Sequence, residues 1–178
     1  MNKEQAIEVL KEQGKKGKYI FSNHDLRKLF PNDAIKTLNE GLKRLVKSKI
    51  LKHACRGIYV NENVSQFDSY IIEHIAKTLR RGEYNYVSLE SMLSEYGVIS
   101  QIPIDRQTII TTGRKGIYKT SYGVIEFTHT KRTVKSILES TFKIDGRPLR
   151  IASKEAALRD LKRVGRNLNL INLEALND

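Results

Sequence analysis

Apolar positions near the N-terminus recur at helical spacing. Ala6, Ile7, Val9 and Leu10 form one stripe, which predicts a helix that Gly14 can terminate. Tyr19, Ile20 and Phe21 follow as a short apolar stretch. Ser22-Asn23-His24-Asp25 then reads S-x-x-D, a capping box whose Asp25 also suits the positive end of the helix dipole. This second helix points Leu26, Leu29 and Phe30 inward and stops at Pro31. Asn32 or Asp33 is placed to cap a third helix, in which Ile35, Leu38, Leu42, Leu45 and Val46 recur at the steps of one buried face. Two strand-like runs come next, Ile50 to His53 and Gly57 to Val60, with Gly57 able to take a positive φ at the turn between them. Three helices and a hairpin with a basic tip make the expected arrangement a winged helix-turn-helix.

A polar stretch without apolar periodicity, residues 61–66, reads as a linker and sets the expected domains at 1–65 and 66–178. Beyond it Tyr70, Ile71, Ile72, Ile75, Ala76 and Leu79 predict an amphipathic helix closed by Arg80, Arg81 and Gly82. Tyr84 to Val87 is a strand, and Ser88 is placed to cap a helix through Leu89, Met92, Leu93 and Tyr96 that stops at Gly97. The runs 107–112, 116–120 and 122–128 are rich in β-branched and aromatic residues and separated by glycine, which predicts an antiparallel meander. Residues 147–151 form a further short strand. Ser153 caps a last helix, with Ala156, Ala157, Leu158, Leu161 and Val164 apolar and Lys154, Arg159, Lys162, Arg163 and Arg166 charged. The expected fold class is α+β: a winged helix-turn-helix, then a mixed α/β domain with an antiparallel sheet.

Charge adds a partner to this picture. The 178 residues carry 32 Lys and Arg against 20 Asp and Glu, a formal net charge of +12, which favours an anionic partner. Residues 1–65 hold 14 of those cations against 7 acids, so the first domain is the denser in positive charge. Within it Lys36, Lys43, Arg44, Lys47, Lys49, Lys52 and Arg56 face only Glu40. Lys36, Asn39, Lys43 and Lys47 recur at steps of three and four opposite the apolar stripe of the third helix, so they face outward together, and a helix fits the B-DNA major groove. Asn39 can bond adenine bidentately and Arg44 guanine, while the lysines, Lys52 included, suit phosphates and Arg56 a minor groove or the backbone. In the last helix Arg159, Lys162, Arg163 and Arg166 form a second basic face, able to meet DNA phosphates or an RNA.

The familiar catalytic signatures are missing. No phosphate-cradling glycine loop and no nucleophile elbow is present, and His24, His53, His74 and His129 lack the spacing of metal ligands. Asp68, Glu73, Glu83, Glu90, Glu95 and Asp105 show no clustering for a divalent metal, so neither metal, cofactor nor enzymatic activity is expected. His129 beside Lys131 and Arg132 reads as a solvated loop, Ser88 and Glu90 as ordinary helix-start residues, and Cys55, the one cysteine, as a small apolar residue. The apolar runs are far shorter than the roughly 20 residues of a membrane span, and the charged N-terminus lacks a signal-peptide core, so a cytoplasmic protein is expected.

Four segments together resemble the AbiEi antitoxins of bacterial type IV toxin-antitoxin systems, which act in abortive phage infection. They are Gly57-Ile58-Tyr59-Val60 closing the hairpin, residues 86–99 (YVSLESMLSEYGVI), Tyr122-Gly123-Val124-Ile125-Glu126-Phe127, and residues 151–161 (IASKEAALRDL). The resemblance spans nearly the whole chain. It implies an N-terminal domain that represses its own operon by binding repeats in the promoter. It also implies a C-terminal domain that counters an AbiEii-like nucleotidyltransferase toxin, with no stable complex between the two required. Two other functions fit the same residues: a DNA-binding regulator whose second domain senses a ligand or dimerises, and an enzyme acting on nucleic acid.

Overall fold

A computed structural model describes residues 2–65, 67–100 and 105–176, and its contacts divide the chain into two units, Met1–Ile71 and Ile72–Asp178. Residues beyond the polar stretch 61–66 belong to the first unit for a physical reason. The Phe67 ring packs on that of Tyr19, centroids 5.9 Å apart.

The described residues of the first unit form α1 (Lys3–Lys15), β1 (Ile20–Ser22), α2 (Asn23–Leu29), α3 (Ile35–Lys47), β2 (Lys52–Cys55) and β3 (Ile58–Val60). Tyr19-Ile20-Phe21 thus largely becomes a strand, and it pairs with β3 to extend the hairpin into an antiparallel sheet in the order β1-β3-β2. Ala6, Leu10, Phe21, Leu26, Leu38, Leu42, Leu45 and Leu51 share one core. Each such leucine taken from water stabilises the unit by about 1.5–3 kcal/mol before entropy is counted. The capping box at Ser22 and Asp25 forms in full: the Ser22 hydroxyl accepts from the Asp25 N–H, and the Asp25 carboxylate accepts from the Ser22 N–H.

Local chemistry misplaces three features here. Helix α1 runs past Gly14 to Lys15, and Gly17 takes the positive φ (75°) beyond its end. Gly14 is small for a different reason, since a Cβ there would sit 2.8 Å from Val64 Cγ1. The N-cap position of α3 is Ala34, not Asn32 or Asp33, and it has no side-chain cap to offer. Ile35, in the first turn, is 56% exposed and lies outside the buried face, while Leu38, Leu42 and Leu45 form it.

The second unit contains α4 (Ile71–Leu79), which starts at the border, then β4 (Asn85–Val87), α5 (Leu89–Glu95), β5 (Arg106–Thr111), β6 (Gly116–Thr120) and β7 (Gly123–His129). Its last third holds α6 (Val134–Glu139), β8 (Thr141–Phe142), β9 (Arg150–Ala152) and α7 (Lys154–Val164). The sheet order is β6-β7-β5-β4-β9-β8. The expected antiparallel meander is therefore wrong. Strand β5 pairs with β7 in parallel, and β6 lies outside β7 at the edge. The chain leaves β5, runs along the edge as β6, turns at Gly123 and returns between them. Strands β4 and β9 are also parallel, so the sheet is mixed. The class is α+β. No helix among the described residues is long and apolar enough to cross a membrane.

Buried polar side chains tie distant parts of this unit together. Ser88 sits at the start of α5, yet its hydroxyl does not cap the helix. It donates to Asp160 Oδ2 (2.9 Å), which also accepts from the Tyr86 hydroxyl (3.0 Å). Leu89 beside it is buried with φ 57°, a costly conformation for a bulky residue, held by the surrounding packing. Glu90 is buried, accepting from the Arg166 guanidinium (2.7 Å) and from Asn167 (2.9 Å).

Candidate nucleic-acid interface

Helix α3 exposes the row that its apolar period predicts. Leu38, Gly41, Leu42 and Leu45 are buried on one side, and Lys36, Asn39, Lys43 and Lys47 are all exposed on the other. Arg44 and Lys49 are exposed as well, and Lys52 is half-buried at the start of β2. The exposed cations are lightly held. Lys43 donates to Glu40 Oε1 at 2.7 Å, but both groups are fully exposed and water and salt screen the pair. The Arg44 side chain reaches the Glu40 carbonyl at 3.4 Å, and Lys52 lies 3.1 Å from Glu62. A phosphate can displace such partners at small cost.

The hairpin is short. Arg56 and Gly57 make its turn, Gly57 has φ 77°, and Arg56 is exposed at the tip. The tip is tethered, because the Asn23 N–H at the start of α2 donates to the Gly57 carbonyl at 2.9 Å. Arg56 is thereby positioned relative to α2 and is not carried on a long free arm. Cys55 beside it is buried, and burial pushes its thiol above the usual range, which leaves it a small apolar residue. Arg27 and Lys28, in the last turn of α2, are also exposed, and their alternation with Leu26 and Leu29 was the signal for them.

Comparison of the chain with protein-family models and with curated protein sequences finds no match.

The second basic face is only partly available. Arg166 is engaged internally, bonded to Glu90 and, by a short contact, to Glu126, with Arg106 on the other side of Glu126 (2.8 Å). Burial alone would raise the Glu90 carboxyl, but hydrogen bonds from Arg166, its own backbone N–H and Asn167 together outweigh it and hold the group below its ordinary value. Arg166 is thus a structural cation, and sequence spacing had no means of seeing a carboxylate 76 residues away. Arg159, Lys162 and Arg163 remain exposed on α7. Two further cations join them from the chain after β7. Arg132 lies 3.1 Å from Asp160 Oδ1, and Lys131 next to it is exposed. His129 is tied down by its ring, whose Nδ1–H donates to the Gly113 carbonyl at 2.8 Å.

Among the described residues no group of three or more His, Cys, Asp and Glu side chains is arranged to hold a metal ion. The carboxylates that do converge, Glu73 with Glu95 and Glu90 with Glu126, each do so on an arginine.

Proposed function

We propose that this protein is an antitoxin and transcriptional autorepressor, without catalytic activity, that binds repeats in its own promoter. Its first unit acts as a winged helix-turn-helix. Helix α3 enters the major groove, Asn39 and Arg44 read base edges, Lys36, Lys43, Lys47 and Lys52 hold phosphates, and Arg56 reaches the flanking backbone. The observation that carries this reading is the exposed row Lys36, Asn39, Lys43 and Lys47 directly opposite the buried leucines of α3, with a β-hairpin following it. The antitoxin half rests on the resemblance to AbiEi: the second unit counters a nucleotidyltransferase toxin, and no stable complex between the two is required. The protein works in the cytoplasm.

The test of the first half is binding of the full chain to a labelled fragment from upstream of its own gene, against scrambled DNA, over a salt series. Preferential binding is expected. The Lys43→Ala/Arg44→Ala/Arg56→Ala variant should lose it, with the log-log salt slope flattening by about 0.9 for each phosphate contact removed. Equal, weak binding to both fragments overturns the reading. The second half is tested by co-expression with the adjacent reading frame. Rescue from toxicity supports it, and a non-toxic neighbour or a failure to rescue sinks it.

A further inference from the structure

One end of the second unit's sheet gathers cations that are scattered in sequence. The register places Asn85 at the start of β4, Thr111 at the end of β5 and His129 at the end of β7 side by side, with Gly116 at the start of β6 opposite Phe127 two residues before, so the chain segments leaving these positions emerge at one end of the sheet. Hydrogen bonds join them. Gly113 accepts from the His129 ring, and the His129 carbonyl accepts from Arg163 of α7 at 3.4 Å. Tyr84 and Thr112 exchange backbone and hydroxyl hydrogen bonds at 3.0 Å. Arg80 donates to the Arg114 carbonyl at 2.9 Å while its guanidinium lies over the rings of Tyr118 and Phe127, which fixes the loop that carries Arg114 and Lys115.

The result is a basic rim. Arg114 and Lys115 come from the loop before β6, Lys131 and Arg132 from the chain after β7, and Arg159, Lys162 and Arg163 from α7. Asp160, fully buried, is compensated by Arg132 and accepts from Tyr86 and Ser88, so it shows no charge outward. Four other acids of the unit are engaged by arginines, Glu73 and Glu95 by Arg147 and Glu90 and Glu126 by Arg166, which leaves Glu83 as an exposed acid on the rim itself.

An exposed aromatic residue sits on this rim. Tyr84 is 41% exposed, and it precedes Tyr86 by two residues in extended chain, so its ring projects to the same side as Tyr86, the side covered by α7 and its cations. His129, in register with Thr111 and Asn85, is exposed at the same end of the sheet but on its other face. Cations around an accessible flat ring suit unstacked bases on a flexible phosphate chain, since duplex DNA buries its base faces. Glu83, exposed beside Tyr84 with its Oε2 accepting from Thr112 at 2.6 Å, disfavours a further phosphate but can accept from a hydroxyl. A ribose 2′-OH is such a donor and deoxyribose has none.

We infer that this rim is a second nucleic-acid site, separate from α3, that binds single-stranded RNA through phosphate contacts from Arg114, Lys115, Lys131, Lys162 and Arg163 and base stacking on Tyr84. The inference does not depend on the promoter-binding reading of the first unit.

It is tested with the full chain and a fluorescent single-stranded RNA of about 12 nucleotides, within the span such sites cover. Single-stranded DNA of the same sequence and its duplex run in parallel, each over a salt series. The RNA should bind more tightly than the single-stranded DNA. Tyr84→Ala should weaken RNA binding roughly ten-fold, the loss of one stacked base. Lys131→Gln/Lys162→Gln/Arg163→Gln should flatten the salt slope by about two, at roughly 0.7 per lost contact on a single strand. Both variants should keep the parent's melting temperature to within a few degrees. The α3 variant Lys43→Ala/Arg44→Ala should bind the RNA like the parent, which separates this site from the proposed operator reader. No RNA binding at low salt, RNA binding lost with the α3 variant, RNA binding unmoved by both rim variants, or equal affinity for the two single strands overturns the proposal.

Discussion

The guanidinium of Arg147 lies 2.6 Å from Glu73 Oε1 although 74 residues separate the two in sequence, and both side chains are nearly inaccessible. A second carboxylate, Glu95, closes on the same guanidinium at 2.8 Å but is 45% exposed. Removing the arginine strands a buried charge. Arg147→Met should cost about 3–5 kcal/mol of unfolding free energy in urea titration. Glu95→Gln should cost below about 1 kcal/mol, because water already screens that partner. The double variant Arg147→Met/Glu73→Leu should recover most of the single loss, and additivity of the two changes would contradict this coupling.

Glu90 gives the second unit an acid-sensitive joint. Its carboxyl titrates below the ordinary value of 4.5 in the folded chain, so the unfolded chain takes up the proton first as pH falls. The stabilisation is fully present above that ordinary value and is lost as pH drops through the folded one. The melting temperatures of the parent and of Glu90→Gln should therefore differ most near neutral pH and converge as pH falls below 4.5 and through the lower folded value. A gap that stays constant would show that the charge contributes nothing.

Two glycines with positive φ should respond very differently to alanine. At Gly123 (φ 136°) an added Cβ would collide with the Asp105 carbonyl oxygen and crowd Ile72, and this is the turn that feeds β7 between β6 and β5. Gly146 (φ 78°) has open space around it. Gly146→Ala should cost about 1 kcal/mol of conformational strain. Gly123→Ala should cost well over about 3 kcal/mol, or leave the second unit unfolded by hydrogen exchange.

Much of the first unit was legible because its signals are local. The helical spacing of Leu38, Leu42 and Leu45 and the pairing of Ser22 with Asp25 need no information from elsewhere in the chain. The second unit hid more. Residues 107–128 carry strand propensity and glycine punctuation, which mark where strands begin and end and say nothing of partners, so a parallel β5–β7 pair looked like a meander. Ser88 looked like a cap because its acceptor, Asp160, is 72 residues away. Arg166 looked like a surface cation for the same reason. Of the candidate interface, the row on α3 followed from period alone. The rim at Tyr84 became visible only once the sheet register brought Thr112, His129 and α7 together.

Within the α3 row, base-reading and phosphate-holding residues should separate in one binding experiment. Asn39→Ala should reduce the preference for promoter over scrambled DNA by about 1–3 kcal/mol while leaving the salt slope unchanged. Lys36→Ala should weaken binding to both fragments alike and flatten the slope by about 0.9. The reverse assignment would place Lys36, and not Asn39, against the base edges.

The sheet of the second unit also sets an order of events during synthesis. Strand β4 (Asn85–Val87) lies between β5 and β9, and β9 (Arg150–Ala152) is followed directly by the helix that supplies Asp160 to Tyr86 and Ser88. A ribosome adding about 5–20 residues per second delivers everything the first unit needs by Ile71, whereas β4 waits through the following 60-odd residues for its second neighbour. The nascent chain therefore carries a finished α3 surface while its other half is still an open sheet edge, and premature release in that interval would leave α3 intact without the rest of the molecule.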